Sequence, residues 1–276
     1  MISKESKSKT LTSNPTFLSG VAINYLNAQP LVYSLQQKTI PHNFRIQMNV
    51  PGRCAELLAI SSVDFGLIPV IEYPKFASGY TIVPNISIST LHRVGSVKLY
   101  SHVPIESISH VALDTDSRSS AALAQIILRK KYGIHPTFQR FSPNSILSAP
   151  TEFESFVLIG DKVLSNGKLT KYEYDLGGEW TDWKKLPFVF AVWVLRKFSA
   201  DEINQILLQA KEDGIRRISK IASSWSRTKR LGNSKRIEAY LTENLNYDLT
   251  PAHINGIQMF FREAIDLDLL PSASDF

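Results

Sequence analysis

The chain has 276 residues, of which 43% are hydrophobic and 20% charged, a composition typical of globular proteins with one large or two modest domains. Its single cysteine, Cys54, excludes an intramolecular disulfide and a cysteine-rich metal site, and its six histidines lack the HxxxH or HxH spacing of a histidine metal centre. The formal net charge of +6 is compatible with nucleic acid, an acidic surface or an anionic substrate as partner.

Much of the positive charge lies in a basic run from Arg216 to Arg236, which contains no acidic residue. We interpret this run as a solvated face, because the chain has no nucleic-acid-binding motif and no array of aromatic residues interleaved with the charges. Residues 1–15 lack the apolar segment of a signal peptide, and no uninterrupted apolar run approaches membrane-spanning length. The sequence therefore predicts a cytoplasmic protein with neither nucleic acid nor a membrane as partner.

The N-terminal part of the chain alternates predicted strands and helices. Residues 1–16 are predicted to be disordered, and a strand over Val21–Leu26 then ends in Asn27-Ala28-Gln29-Pro30, where the proline favours a first helical turn. The next elements are a strand at 44–50, a helix from 51 to 60, a short buried strand at 64–68 and a helical turn from 69. This alternation predicts a parallel sheet with helices on its faces.

The later elements predict a second lobe and a helical tail. A strand at 94–101 is expected to carry the chain into the second lobe, and the almost purely apolar segment Phe188–Leu195 to carry it back. We therefore assign residues 17–97 plus 195–276, with the C-terminal helices, to lobe 1 and residues 98–194 to lobe 2. The expected fold class is α/β, with two lobes and a ligand cleft between them at the carboxyl ends of the strands.

A hydroxyl-rich loop joins a predicted strand to a predicted helix in lobe 2. Four hydroxyl side chains fall within six residues, namely Thr115, Ser117, Ser119 and Ser120. Serine hydroxyls beside the free N–H groups of a helix N-terminus form a site for a small anion. The alternative is that these serines only cap the helix, since serine is a common N-cap residue. Four hydroxyls exceed what one cap needs, which favours an anionic ligand.

Seven segments, in order between residues 19 and 196, resemble those of one enzyme family. They are Tyr25-Leu26-Asn27-x-x-Pro30-Leu31, Ala55-Glu56-Leu57-Leu58, Asp64-Phe65-Gly66-Leu67-Ile68-Pro69-x-Ile71-Glu72-Tyr73, Asp114-Thr115-x-Ser117-Arg118-Ser119-Ser120, Leu158-Ile159-Gly160-Asp161, Tyr174-Asp175-Leu176-Gly177-x-Glu179-Trp180 and Leu186-Pro187-Phe188-Val189-Phe190-Ala191-Val192-Trp193. The family is that of the chorismate dehydratases of the futalosine route to menaquinone, which share the two-lobed fold of type II periplasmic binding proteins. The chain departs from it at Leu91-His92-Arg93-Val94-Gly95, where a Gly-Pro turn is more usual.

The resemblance implies a lyase that removes water from chorismate and leaves 3-[(1-carboxyvinyl)oxy]benzoate, with no cofactor and no metal. Carried over by position, Asn27 and Ser96 are the expected catalytic residues, acting on the leaving hydroxyl or on a substrate carboxylate. The expected substrate-binding residues are Thr115, Ser117, Ser119, Ser120, Gly160 and Asp161.

Each assignment has an alternative that needs no ligand. Asn27 would be a helix N-cap before the proline, Ser96 a strand-edge serine bonded to backbone, and Arg118 a cation facing solvent. For the function, the same cleft would suit a non-catalytic small-anion binding protein or the sibling dihydroxynaphthoate synthase of the same pathway. The sequence leaves the oligomeric state, monomer or homodimer, open.

Overall fold

The computed structural model describes residues 17–76, 78–196, 200–228 and 231–272. The segment 1–16, predicted to be disordered, lies outside the described residues, and so do Lys229 and Arg230 of the basic run. The described strands form two five-stranded sheets, and each sheet carries helices.

Strands and helices are numbered separately along the chain. The strands are β1 (Leu18–Ile23), β2 (Phe44–Asn49), β3 (Phe65–Pro69), β4 (Tyr80–Thr90), β5 (Val97–Ser101), β6 (His110–Asp114), β7 (Thr137–Phe141), β8 (Ser155–Ile159), β9 (Tyr172–Asp175) and β10 (Phe188–Arg196). The α-helices are α1 (Gln29–Gln36), α2 (Pro51–Ala59), α3 (Ser119–Ile126), α4 (Pro143–Ser148), α5 (Asp161–Ser165), α6 (Leu176–Lys184), α7 (Ala200–Arg216), α8 (Ile218–Thr228), α9 (Ser234–Ala239) and α10 (Pro251–Ile265). Short 3-10 helices lie at Leu26–Ala28, Val70–Phe76, Ile105–Ser107 and Pro150–Glu152, and π-helical turns extend α3 over Ile127–Lys131 and α9 over Tyr240–Asn244.

The first sheet has the strand order β2-β1-β3-β10-β4. β1 runs parallel to β2 and β3, which confirms the parallel sheet predicted from the alternation of strands and helices. β10 runs antiparallel to both of its neighbours. It is buried from Phe188 to Leu195 because it is a central strand with apolar side chains on both faces.

The second sheet has the strand order β7-β6-β8-β5-β9, in which β6 is parallel to β7 and β8 while β5 is antiparallel to β8 and β9. The predicted division assigned residues 98–194 to lobe 2, but β10 pairs with the first sheet along its whole length, and β5 already pairs with the second sheet at Val97. An apolar run indicates a buried strand without specifying its partners. The sequence therefore puts the return to the first sheet too late in the chain.

Aromatic packing joins the second lobe and the C-terminal helices to the first sheet. The buried ring of Trp180 in α6 contacts Phe188 of β10 and Phe260 of α10, with ring centroids 5.5 and 6.0 Å apart. Both contacts are edge-to-face, which is a favoured arrangement of aromatic rings. One cluster thus connects three parts of the fold that lie far apart in the chain.

The tail also fixes the position of α1. Gly214 in α7 approaches α1 so closely that a Cβ atom there would overlap the carbonyl oxygen of Pro30. The neighbouring Asp213 accepts hydrogen bonds from the hydroxyls of Ser34 and Thr39 at 2.9 and 2.7 Å. This packing holds the start of α1, just after Asn27. Across the described ranges, no helix combines the length and apolar character needed to cross a membrane.

Candidate active site

A cavity lies between the two lobes, at the ends of the strands. The space between its protein atoms is about 470 Å³ when counted out into open solvent. Ile23, Pro69 and Ile159, the last residues of β1, β3 and β8, form part of its wall. The polar residues in the described lining are Tyr25, Asn27, Ser117, Arg118, Ser119 and Ser120. Open α/β sheets bind their ligands at this position, outside the carboxyl ends of the strands.

Asn27 lies in the wall of this cavity, in the short 3-10 helix between β1 and α1. Its amide oxygen is buried and has no hydrogen-bond partner among the described residues. The N-cap alternative is wrong, because the N-cap of α1 is Ala28 and no side chain caps that helix. A buried polar atom without a partner is uncommon in folded proteins. In a cavity wall, such an atom is available to a ligand.

Ser96 lies behind the cavity wall rather than in it. Val94 and Val97 line the cavity, whereas Ser96 does not and is fully buried. Its hydroxyl oxygen accepts a hydrogen bond from the Tyr240 hydroxyl at 2.7 Å, and its carbonyl accepts one from the Gly160 N–H at 2.7 Å. Burial raises the pKa of Tyr240, so this phenol stays protonated and donates.

The hydroxyl-rich loop places three of its serines in the cavity wall. Ser117, Ser119 and Ser120 are all buried and all line the cavity. The capping alternative is wrong for them, because the N-cap of α3 is Arg118 and no side chain accepts a capping hydrogen bond. The first N–H groups of α3 have no partner within the helix. Free N–H groups and hydroxyls therefore meet at the cavity, as an anion site requires.

The three serines differ in how their hydroxyls are used. The Ser119 hydroxyl donates to the carbonyl of Phe190 at 3.1 Å and accepts from the N–H of Ile71 at 3.3 Å, so it joins α3 to two segments of the first lobe. Within the described part of the chain, no hydrogen bond is found to the hydroxyl of Ser117 or Ser120. The structure thus leaves two of the three hydroxyls for a ligand.

The remaining predicted binding residues have different positions. Thr115 is exposed and outside the cavity, and its N–H donates to the carbonyl of Phe141 in β7. Gly160 lines the cavity with a φ of 65°, and a Cβ atom there would lie 3.0 Å from the ring of Tyr25. Asp161 is outside the lining, and its Oδ1 accepts the N–H of Leu26 from the other lobe at 2.9 Å.

Arg118 is partly exposed and held in ion pairs, so the alternative of a cation that simply faces solvent is wrong. It lines the cavity, and its guanidinium contacts Glu56 Oε1 at 2.7 Å and Glu72 Oε2 at 3.0 Å, both in the first lobe. Glu72 is buried and also pairs with Lys75 at 2.8 Å. Arg118 is the only charged residue in the described lining, and its ion pairs with the two glutamates offset its charge.

A second charged cluster joins the lobes beside the cavity. The Lys162 ammonium lies 2.8 Å from Asp116 Oδ2, 3.1 Å from Asp114 Oδ2 and 3.3 Å from the hydroxyl of Tyr25. The Tyr25 hydroxyl in turn donates to Asp116 at 3.3 Å. Burial raises the pKa of the Asp114 carboxyl, and the Lys162 charge opposes that shift. Tyr25 comes from the first lobe and the other three from the second.

Sequence reasoning assigned no role to Tyr25 or Lys162. The tyrosine lies inside the segment that contains Asn27, and the lysine directly follows the segment that ends in Gly160-Asp161. Proximity to those segments was the available signal. Among the described residues, no group of three or more His, Cys, Asp or Glu side chains is arranged to hold a metal ion.

Comparison with known proteins gives a family for this chain. A family model described as menaquinone biosynthesis matches residues 21–266. The chorismate dehydratase of Thermus thermophilus is 28% identical over 267 residues, which cover 90% of this chain and 94% of that protein. The resemblance inferred from the seven segments is therefore confirmed at the level of the family.

Solved structures support the fold. A protein from Archaeoglobus fulgidus superposes with a TM-score of 0.75 at 12% identity, covering 92% of this chain and 98% of that one. The periplasmic aliphatic sulphonate binding protein of Escherichia coli superposes with a TM-score of 0.67 at 15% identity, covering 94% and 90%. At such identities the likeness concerns the fold alone, and it confirms the predicted two-lobed α/β fold of the periplasmic-binding-protein type.

Proposed function

This chain belongs to the menaquinone biosynthesis family, and from that premise we propose that it is a lyase that converts chorismate into 3-[(1-carboxyvinyl)oxy]benzoate and water. The observation that carries the proposal is the near full-length similarity to a protein named chorismate dehydratase. The cavity supports it, because an unpartnered amide, two free hydroxyls and a helix N-terminus surround a space suited to a small anion.

The reaction needs little from the protein beyond positioning. A C–H bond breaks at the ring carbon that bears the ether, and its electrons enter the ring. The C–O bond of the neighbouring carbon breaks, hydroxide leaves with the bonding electrons, and the ring becomes aromatic. The proton and the hydroxide together make one water. Because aromatisation favours the products, the site mainly has to hold the dianion and orient the departing groups.

We assign to Asn27 the contact with the leaving hydroxyl. A neutral amide is too weak a base to remove the ring proton, but it can accept a hydrogen bond through its oxygen or donate one through its NH2 group. A donor aimed at the leaving oxygen stabilises the negative charge that develops there in the transition state. The described lining contains no carboxylate and no imidazole, so we propose that a substrate carboxylate takes the proton.

The anion-binding part of the proposal rests on α3. The hydroxyls of Ser117 and Ser120 and the first N–H groups of α3 would hold a substrate carboxylate, with the positive charge of Arg118 nearby. Ser96, the second expected catalytic residue, lies behind the cavity wall, so we propose that it acts on the site through its neighbours rather than by touching the substrate. The hydrogen bond that it accepts from Tyr240 makes its own hydroxyl a better donor.

We further propose that chorismate is the partner of this protein, that it binds no nucleic acid, and that the reaction takes place in the cytoplasm. The name of the relative supports a biosynthetic role. Among the described cations of the basic run, Arg217 is half-buried and pairs with Asp213 at 2.7 Å. The others are exposed, as expected of a solvated face. Weak, salt-sensitive binding to random duplex DNA in a gel-shift titration is the expected result.

The experiment that tests the proposal is to incubate the purified protein with chorismate and to identify the product by mass spectrometry. The expected product has lost one water and absorbs as a substituted benzoate. An Asn27→Ala variant, expressed and purified in the same way, is the control for contaminating enzymes. Chorismate that binds and is recovered unchanged would indicate a small-anion binding protein instead, and chorismate that neither binds nor reacts would contradict the proposed substrate.

A further inference from the structure

We infer that Asp161 is a positioning residue for the proposed dehydration, holding the turn that carries Asn27 rather than touching the substrate. The inference rests on the proposed function of the cavity. Asp161 begins α5 in the second lobe, directly after the turn that follows β8. Its carboxylate oxygen accepts a hydrogen bond from the N–H of Leu26, the residue before Asn27, at 2.9 Å.

The 3-10 helix that carries Asn27 depends on this contact. Its first N–H belongs to Leu26, and the first N–H groups of a helix have no partner within it. Its N-cap residue, Tyr25, makes no side-chain hydrogen bond to the helix. The capping acceptor is therefore supplied by Asp161, which lies 135 residues further along the chain, in the other lobe.

Gly160, the residue before Asp161, connects the turn after β8 to Ser96. The Gly160 N–H donates to the carbonyl of Ser96 at 2.7 Å, and its φ of 65° suits glycine. The ring of Tyr25 packs against it, since a Cβ atom on Gly160 would lie 3.0 Å from that ring. Residue 160 thus contacts the backbone of Ser96, and residue 161 contacts the backbone next to Asn27.

The charge of Asp161 fits this role better than a place in the binding site. A carboxylate facing a dianionic substrate would repel it. Asp161 is absent from the cavity lining, and one of its oxygens is committed to a backbone N–H. Because the bond crosses between the lobes, it holds Asn27 only while the lobes are in contact. In the proposed function Asn27 acts on the leaving hydroxyl, whereas the contacts at α3 hold a substrate carboxylate. Loss of the bond to the Leu26 N–H should therefore lower turnover more than it lowers substrate affinity.

The test compares Asp161→Ala, Asp161→Asn and Asp64→Ala by melting temperature, kcat, KM and hydrogen exchange at Leu26. Asp64 is a matched control, because this half-buried carboxylate also accepts a backbone N–H, from Ser19 at 2.8 Å, but within the first lobe and away from the cavity. For Asp161→Ala we expect kcat to fall about a hundredfold, the size of effect that a misplacement of about 1 Å can have. We expect KM to change little and exchange at Leu26 to accelerate.

Asp161→Asn keeps an oxygen that can accept the Leu26 N–H, so it should recover most of the turnover. Asp64→Ala should lose melting temperature but keep kcat. The inference is overturned if Asp161→Ala retains as much kcat as Asp64→Ala, or if its defect lies in KM with kcat unchanged. If the wild-type protein forms no product from chorismate, the proposed function fails. Hydrogen exchange at Leu26 still decides whether Asp161 holds the turn that carries Asn27. Faster exchange at Leu26 only in Asp161→Ala supports positioning, and equal exchange in both alanine variants refutes it.

Discussion

Two connections beside the cavity differ in whether the buried polar group that each carries has a hydrogen-bond partner. In the turn between β1 and α1, the amide oxygen of Asn27 lies buried in the cavity wall without a partner among the described residues. In the connection that leads into β5, the hydroxyl of Ser96 is buried behind the wall and accepts a hydrogen bond from Tyr240. The same sequence argument proposed both residues as catalytic, so tertiary contacts alone separate them.

The difference shows how the partners of a buried polar group indicate its use. Burying a polar group without a partner lowers stability by about 1–3 kcal/mol, and folded proteins rarely leave one so. Asn27 therefore carries a stability cost that a bound ligand would offset. Ser96 carries none, because Tyr240 already satisfies it. The same criterion separates Ser117 and Ser120 from Ser119 in the hydroxyl-rich loop.

The largest expected effect is that of Asn27→Ala. If the amide acts on the leaving hydroxyl, turnover should fall on the order of a hundredfold to a thousandfold, as when one transition-state donor is removed. Chorismate affinity should change much less, because the contacts at α3 remain. Product formation, and the melting temperature with and without chorismate, measure both effects on one protein.

Asn24→Ala is the matched control for this prediction. Asn24 is three residues away and exposed, and its backbone N–H, which the substitution retains, donates to the carbonyl of Asn49. Its turnover should equal that of the wild type. Near-normal turnover in Asn27→Ala would remove the distinction between the two connections and would make Ser96 the first residue to re-examine.

The second prediction concerns the two free hydroxyls of the loop. Each hydrogen bond to a charged group contributes about 1.5–3 kcal/mol, so Ser117→Ala/Ser120→Ala should weaken chorismate binding by at least about tenfold in calorimetry. Binding should persist, because the N–H groups of α3 are unchanged. Thr115→Ala, on the exposed side of the same loop, should bind normally. Equal affinities in all three proteins would place the anion site elsewhere.

The third prediction tests whether Ser96 acts through its bond with Tyr240. Ser96→Ala leaves the Tyr240 hydroxyl buried and unpaired, so the free energy of unfolding should fall by about 1–3 kcal/mol. Turnover should fall by about tenfold, the value of one hydrogen bond, and thus by less than in Asn27→Ala. In a double-mutant cycle by urea denaturation, Tyr240→Phe should recover part of that loss in the Ser96→Ala background, because it removes the unpaired hydroxyl. Additive losses would mean that the two hydroxyls are not coupled.

Sequence reasoning located the fold and the cavity better than it located the partners of single side chains. Strand and helix alternation is a local pattern, and it predicted the parallel sheet and placed Asn27 in the connection between the first strand and the first helix, although β1 ends at Ile23 rather than at Leu26. Partners come from distant segments. Tyr240 is 144 residues from Ser96, and Glu56 is 62 residues from Arg118. The periodicity of apolar residues along the chain does not predict contacts between distant segments. The sequence therefore did not indicate the partners of Ser96 and Arg118.

The smallest expected change in affinity is that of Ser119→Ala, and it completes the comparison inside one loop. Its hydroxyl already joins the Phe190 carbonyl and the Ile71 N–H, so its loss leaves a buried N–H of the first lobe unpaired. The free energy of unfolding should fall by about 1–3 kcal/mol. Chorismate affinity, measured below the lowered melting temperature, should stay close to that of the wild type.

Ser120→Ala, the matched control, should have the opposite effects, with weaker binding and unchanged stability. The reason is that the Ser120 hydroxyl makes no hydrogen bond within the described chain. If Ser119→Ala instead loses affinity and keeps its stability, the Ser119 hydroxyl exchanges its two backbone partners for the substrate on binding, and an occupied hydroxyl would no longer mark a structural residue in this loop.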